Sequence, residues 1–412
     1  MSQCLVSVII PAWNGHEHLE SCLSALLRQS YSPLEVIVVD NASSDGSADL
    51  VEKKFPAVRL IRNAKNLGFG GGCNTGLRAA EGKILILLNQ DTIVEPEWTG
   101  ALVEVFEADP TIGIAGGKAF YPDGTIQHAG GYVDKHGVGH HYGYRKPDNG
   151  QFDQIRDVDF VTGATLAISR QAFERIGELD DGFRPAYFED VDWCYRARHA
   201  GFRTVYVPEA RLIHQEESKA GDESDEGKYL MQRNRIRFVL KQWPIARLRE
   251  EFLPTEQEWL RVLRAQGHRL VNVIERAYLF HLLHLADVMK WRQTWLNSAI
   301  DEADQLAQIL ITLRTKKRQS QNRAAHESLV ADLLAELQKR PPLQEHQFRS
   351  DVPVIGPLIA MFRRQWSQVA ARWSVRVVIE QQNEINALVI QTLTDLQRGQ
   401  KHLTRQLSED IN

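Results

Sequence analysis

Cysteine is scarce in this chain, and no two cysteines form a CxxC pair. Cys4, Cys22, Cys73 and Cys194 are the four present in 412 residues. Neither a zinc site nor a disulfide framework is indicated, and a reducing compartment is expected. No run of about 18 apolar residues occurs, which predicts no membrane-spanning helix. MSQCLVSVII at the N-terminus has no basic region ahead of a long apolar stretch, so a signal peptide is not expected. Neither sign of charge dominates. Lys plus Arg number 49 and Asp plus Glu 53, a formal net charge of −4, so bulk attraction to nucleic acid is not expected. What is present is 43% hydrophobic and 25% charged, an ordinary globular balance, at a length that suits two or three domains.

The first 215 residues alternate between two patterns. Val6 to Ile10, Leu34 to Val39, Val58 to Ile61 and Ile84 to Leu88 are short, apolar and β-branched. Between them lie helical spacings: Leu19 to Leu27, a helix capped by Ser44 or Asp45 and running to about Lys54, and Phe69 to Ala80. Continuous apolar strands separated by helices predict an α/β fold with a mostly parallel sheet covered on both faces. IGIAGGKAFY and VDFVTGATLAIS read as further strands, with a long loop and short hairpin between them over 121–157. A helix is expected over Glu189 to His199, a strand over Thr204 to Val207, and a mobile loop over 218–227. Beyond Pro244 the spacing is helical throughout, broken at Pro341 and Pro342. The expected organisation is a first domain over 1–243, a helical region over 244–340 and a helical tail over 341–412.

In an open parallel sheet, ligands bind outside the carboxyl ends of the strands. Those ends read PAWN from Pro11, DNASSDGS from Asp40, RNAKNLGFGGGCNTG from Arg62, and NQD at 89–91. A single acid at a strand end is usually a turn residue that bonds nearby backbone. Four polar ends in register point instead to one ligand crevice. The glycines Gly68, Gly70, Gly71 and Gly72 precede a helix, where backbone could cradle phosphate. A dinucleotide fingerprint fails, however, because Cys73 takes its third glycine place and the cluster follows the third strand. The glycines are expected to let backbone approach a bulky ligand. Near the end of the region, Glu189, Asp190 and Asp192 crowd one helix start. Carboxylates there serve the helix dipole, or one of them serves as a base.

VSVIIPAWNG, VIVVDNASSDGS, NLGFGGGCNTG, LLNQD and YFEDVDWCYRARHAGFRTVYVPEARLIH together resemble the family 2 glycosyltransferases, in particular their bacterial rhamnosyltransferase-like branch of cell-surface polysaccharide synthesis. The resemblance spans roughly residues 4 to 243. It implies a GT-A fold and inverting transfer from a nucleotide-sugar donor to a glycan or lipid-linked glycan acceptor, with a divalent metal, Mg²⁺ or Mn²⁺. Carried over by position, it implies that Asp91 and His214 hold the metal. Asn89 stands where the family often has the first acid of D-x-D, with Gln90 beside it. Ala12, Asn14 and Asp40, with Asn66, Gly68 and Asn74 of the NxGxxxGxN stretch, would line the donor pocket. Asp190 would be the base, and Gly163, Glu189 and Trp193 would meet the acceptor; Asp192 should face elsewhere. His128, His136, His140 and His141 match no ligand spacing and suit acceptor contact or plain surface. Arg233 and Asn234 suit either a diphosphate contact or a helix surface.

Two other readings fit less of the sequence. A nucleotidyltransferase needs a basic phosphate loop after the first strand, and PAWNGHEH has neither Lys nor Arg. A silent scaffold would act through the C-terminal helices. There, residues 352–379 contain no Asp or Glu but carry Arg363, Arg364, Arg372 and Arg376, with Trp366 and Trp373 at helical spacing. Such a basic amphipathic helix suits a membrane interface, or packing on its own or a sister chain. A cytoplasmic enzyme, peripheral at the inner face of the plasma membrane, is expected. Homo-oligomerisation through these helices is the other outcome considered.

Overall fold

The computed structural model describes residues 3–215, 224–296 and 302–315. Its strands are β1 (Val6–Ala12), β2 (Leu34–Asp40), β3 (Arg59–Arg62), β4 (Ile84–Leu88), β5 (Thr92–Val94), β6 (Ile112–Phe120), β7 (Ile126–His128), β8 (Gly131–Val133), β9 (Gly139–His141), β10 (Arg156–Asp157), β11 (Thr165–Ser169) and β12 (Arg203–His214). The main sheet runs β10-β12-β6-β11-β4-β1-β2-β3, with β5 added on β12 and β7 on β6, while β8 and β9 pair as a separate hairpin. From β4 through β1 and β2 to β3 all pairings are parallel. β11 is antiparallel to both its neighbours, so the sheet is mixed.

Two apolar cores explain the strand compositions. Ile9, Ile37, Val39, Leu85 and Leu87 enter one core. Val8, Ile10, Val36, Val38, Ile86 and Leu88 enter the other, because successive strand side chains point to opposite faces. The helices α1 (His16–Leu26), α2 (Ser47–Lys54) and α4 (Trp98–Ala108) cover the second core. The first is covered by α3 (Gly68–Ala79), α5 (Arg170–Ile176), α6 (Glu189–His199) and α7 (Asp225–Gln242). It runs on without interruption into α9 (Leu253–Ala265), α10 (Leu270–Leu283), α11 (Leu285–Leu296) and α12 (Glu302–Thr315), which follow the short turn α8 (Ile245–Arg247). Residues up to Arg314 form one compact unit. The expected tail over 341–412 and the amphipathic stretch 352–379 lie outside the described residues.

Gly72 of the glycine cluster, together with Gly76 beyond it, serves packing against the sheet. A Cβ on Gly76 would lie 2.3 Å from the Ile9 side chain, and one on Gly72 2.5 Å from that of Asn41. These glycines let α3 settle closely onto β1 and the end of β2; the large object they admit is the sheet itself.

The contact between α6 and α7 joins an aromatic pair, Tyr195 edge-on to Phe238 at 4.8 Å, to a buried ionic network that also takes in Asp180. Asp180 accepts from Arg237 at 3.0 and 3.1 Å and from Lys241 at 2.7 Å. Lys241 also reaches Asp192 at 2.7 Å, and Asp192 accepts from Arg196 and Gln242 at 3.1 and 2.7 Å. Arg196 spends its remaining nitrogens on the carbonyls of Ile176 and Glu178. All of these side chains are buried. Removing one partner from such a set leaves an uncompensated buried charge, which costs about 3–5 kcal/mol.

Candidate active site

Strand register brings the polar ends together. Ala12 pairs with Asp40, and Asp40 with Arg62. Ile9 lies opposite Leu87, so Asn89 emerges beside Pro11. The loop after β1 is tied to the loop after β2. The backbone N–H groups of Asn14, Gly15 and His16 donate to Ser43, Ser47 and Asp45, and Ser44 N–H returns to Asn14 Oδ1. Asn14 takes a positive φ of 48° at this bend. Asp40 is buried, and its carboxylate receives only two long contacts from Ser43 N–H, at 3.3 and 3.4 Å. Acceptor capacity therefore remains at the mouth of the crevice. Gln90 is committed elsewhere. Its amide brackets the backbone of Trp13, accepting from the N–H at 3.0 Å and donating to the carbonyl at 3.2 Å, and leaves the Trp13 ring 54% exposed.

Asp91, Asn89 and His214 meet at the ends of β4 and β12. His214 Nε2 stands 3.1 Å from Asp91 Oδ1 and 3.2 Å from Asn89 Nδ2, and Nδ1 stands 2.8 Å from Gln127 Oε1. Gln127 Oε1 is an acceptor, which assigns the proton of a neutral His214 to Nδ1 and the lone pair to Nε2. That lone pair then faces a carboxylate oxygen, an arrangement that calls for a cation between them. Two adjacent ligands of an octahedral ion, each about 2.1 Å from it, stand about 3.0 Å apart. Asn89 turns its Nδ2 toward His214, while its Oδ1 is buried with no protein partner; turning the amide over would present an oxygen ligand to an ion there. Burial pushes Asp91 up, but when His214 carries a second proton on Nε2 the hydrogen bond and charge of that imidazolium outweigh burial and hold the carboxyl below the usual range; a metal ion would take the place of that proton. The residues present fit a divalent metal. Gln127 orients His214 from the 121–157 stretch, where no periodicity or motif marks it in the sequence.

The second site lies at the start of α6. Tyr187 and Phe188 precede it at φ of 84° and 72°, values that strain bulky residues and tend to occur at functional positions. Asn234 holds this loop from α7 through the carbonyls of Phe183, Ala186 and Tyr187; it is buried and makes no approach to solvent. Arg233 likewise donates to Asn234 Oδ1 and to the Arg184 carbonyl. The NxGxxxGxN residues brace the same loop. Asn66 Oδ1 accepts from Gly68 N–H at 2.7 Å, Phe69 N–H donates to the Pro185 carbonyl, and a Cβ on Gly68 would lie 2.8 Å from that carbonyl. Asn74 is buried and clamps both backbone groups of Leu179. Asn74 therefore does not line a donor pocket as expected; both ends of its amide are used inside the fold.

Asp190 accepts from Gly163 N–H at 2.8 Å and from Val191 N–H at 2.8 Å. Gly163 thus positions Asp190, with its own Cα packed near Phe69. Burial raises the Asp190 carboxyl, against the pull of these N–H groups. Glu189 beside it is buried, and its Oε2 has no protein partner. Burial first, and then the Asp190 charge, push Glu189 well above the ordinary value. Both carboxyls are therefore raised, Glu189 further than Asp190. Asp192 faces away, into the buried network, as expected. Trp193 corrects the expected acceptor set: it is fully buried, and its indole donates to the Gly177 carbonyl at 2.8 Å, so it packs against the core.

The raised Glu189 has a consequence for stability. Stability conferred by its protonated form is complete below the ordinary carboxyl range and is lost as pH rises through the raised value. Glu189→Gln should therefore keep a higher melting temperature than the parent at alkaline pH and differ less at acid pH. Parallel melting curves against pH for the two proteins would refute this.

Residues 3–236 match the family described as glycosyltransferase like family 2, and the chain belongs to that family. It is 32% identical over 250 residues to the uncharacterized protein y4gI of Sinorhizobium fredii, covering 58% of this chain and 27% of that one. It is 30% identical over 235 residues to the O-antigen biosynthesis protein RfbC of Myxococcus xanthus, covering 54% and 18%. It is 27% identical over 240 residues to the N-acetylglucosaminyl-diphospho-decaprenol L-rhamnosyltransferase of Mycobacterium tuberculosis, covering 53% and 78%. The match thus spans about a quarter or less of the first two relatives. A solved structure of GalNAc-T7 with UDP, GalNAc and Mn²⁺ aligns over 66% of this chain and 54% of its own, at 18% identity and TM-score 0.49. At that distance the chemistry has to be argued from this chain's own residues.

Proposed function

We propose that the chain is an inverting glycosyltransferase that moves a sugar from a nucleotide-sugar to a hydroxyl of a glycan or lipid-linked glycan acceptor in cell-surface polysaccharide synthesis. One observation carries the reading: the Asp91–His214 pair with the orphaned Asn89 oxygen, at the strand ends where Asp40 also opens. Asp91, His214 and Asn89 would hold the metal, which when bound neutralises the charge that develops on a diphosphate leaving group. An imidazole in the set favours a transition ion such as Mn²⁺ over Mg²⁺. Asp40 and the loop around Asn14 would receive the nucleoside, with Trp13 offering an exposed ring beside it.

Asp190 would take the proton of the acceptor hydroxyl as that oxygen bonds to the anomeric carbon and the carbon–diphosphate bond breaks on the opposite face. Protonated Glu189 cannot act as the base but can donate a hydrogen bond to the acceptor. A single displacement needs no enzyme nucleophile. The cysteines agree: burial pushes the Cys22 and Cys194 thiols up to about 12 and Cys73 well above its usual value. The deciding experiment is nucleotide-sugar hydrolysis by the full chain with and without Mn²⁺, alongside thermal stabilisation by UDP-, GDP- and dTDP-sugars. No hydrolysis and no stabilisation by any donor would overturn the reading.

No helix among the described residues is long and apolar enough to cross a membrane. Membrane contact by residues 352–379 therefore remains a proposal from sequence, motivated by their acid-free basic face and two tryptophans. The full chain should float with anionic vesicles, and a chain ending near Pro341 should not. Equal flotation of the two would favour packing against protein.

A further inference from the structure

Strand β7 joins the two halves of the site. Gln127 orients His214 on the metal side. His128, the next residue, accepts the Thr162 N–H at Nε2, at 3.3 Å. Thr162 is followed by Gly163, whose N–H holds Asp190. A backbone N–H can only donate, so the His128 proton is on Nδ1. That nitrogen lies 2.7 Å from His141 Nδ1, which must then accept. The chain of bonds leaves His141, which keeps part of its surface exposed, with its proton on Nε2. Burial, as the first cause, holds His128 well below its usual range and His141 at about 4, so both rings are neutral around pH 7.

From His141 an aromatic ridge continues outward. The Tyr144 ring lies 6.2 Å from the His141 ring and is 52% exposed. Tyr121 meets Tyr144 edge-on at 6.1 Å, and the Arg145 guanidinium lies 3.8 Å over Tyr121 and 5.8 Å from Tyr144. The ridge therefore offers ring faces, an imidazole N–H and a guanidinium, starting two residues from the group that orients the base. This is amphipathic chemistry. A lipid chain would find no aliphatic wall here. A pyranose matches both aspects: its C–H face carries partial positive charge toward an aromatic face, and its equatorial hydroxyls accept from in-plane N–H donors.

We propose that Tyr144 and His141 form a subsite for a pyranose of the acceptor glycan, leading out from Asp190. The inference rests on the glycosyltransferase reading and names where that enzyme's acceptor extends. Tyr144 stacks on the sugar and His141 Nε2–H donates to a hydroxyl, while His128 acts as a positioning residue that fixes the His141 tautomer.

The test uses the full chain and a panel of methyl pyranosides, observed by saturation-transfer NMR at the sugar ring protons. Tyr132, 39% exposed and stacked on His140 on the other face of the hairpin, supplies the comparison. Wild type and Tyr132→Ala should saturate at least one glycoside. Tyr144→Ala and His141→Ala should reduce that signal roughly three- to tenfold, and Tyr144→Phe should retain it. No saturation by wild type, or equal saturation in Tyr144→Ala, overturns the subsite. Long-range ¹H–¹⁵N spectra should show His141 protonated on Nε2, with that preference lost in His128→Ala; a proton on Nδ1 in wild type overturns the donor role. Donor hydrolysis with Mn²⁺, measured on the same wild-type sample, reports separately on the glycosyltransferase reading. If it persists while glycoside binding is absent, the subsite alone is wrong.

Discussion

Asp190→Asn should slow sugar transfer by about 10² to 10⁴-fold, the range a general base supplies, and should leave donor affinity close to wild type. The substitution keeps the size of the side chain and one of the two oxygens that accept from the Gly163 and Val191 N–H groups, so thermal unfolding is followed alongside activity. It removes the basic lone pair that, on the proposed mechanism, would receive the acceptor proton. Donor affinity is spared because Asp40, Asp91 and His214 stand at the strand ends rather than on α6. Asp192→Asn is an informative companion with the opposite expected profile. Asp192 sits in the buried network with Lys241 and Arg196, so its loss should lower the melting temperature while the molecules that remain folded still turn over. Single-turnover transfer, donor titration and thermal unfolding of both variants separate these outcomes. A large loss of donor affinity in Asp190→Asn, or matching profiles in the two variants, would mean that the helix start is structural and the base lies elsewhere.

Asp91→Ala should abolish the response to Mn²⁺, lowering donor turnover by about 10² to 10³-fold, which is the several kcal/mol a bridging cation contributes. The fold should survive. Asp91 is only partly buried, and His214 keeps Gln127 as its partner. Mn²⁺ should raise the melting temperature of the wild type in the presence of a nucleotide diphosphate and have no such effect on the variant. A variant that keeps wild-type turnover and its metal response would show that the Asp91–His214 pair is only an ion pair closing β4 against β12.

The sheet was legible because its central strands are buried on both faces, so VSVII, VIVVD and ILILL carry continuous apolar signal. α4 went unread although Trp98, Leu102 and Val105 have helical spacing, and β5 is only three residues long. The strand forecast over Thr204–Val207 runs on to His214 through an irregularity between Val207 and Arg211, where Pro208 interrupts the apolar run. Asp91, His214 and Asp190 were picked out through motif, and their places in the fold are simple: Asp91 lies between β4 and β5, His214 ends β12, and Asp190 is the second residue of α6. Gln127 and Thr162 were not picked out, and His128 and His141, though noticed in the sequence as candidates for acceptor contact or plain surface, gave no sign that they pair. They come from segments with no period: the pairing of β7 with β6 places Gln127 and His128, the β8–β9 hairpin places His141, and Thr162 precedes β11. Asn74 and Trp193 were misassigned for one reason: a motif shows that a residue is fixed, and a residue can be fixed as firmly by the loop it clamps as by a ligand.

The Asp180–Lys241–Asp192–Arg196–Arg237 network also bears on how this sequence can change over generations. Two carboxylates here serve three cations, so neutralising Asp180 or Asp192 strands buried cations away from water. Replacing several together by apolar groups of matched volume need not carry that penalty. The effects of single changes here should be far from additive, and viable routes through sequence space must cross an unstable intermediate or move several positions at once. These five positions should therefore drift in concert, as a block that is rigid to single substitutions, while exposed residues a few ångströms away change one at a time.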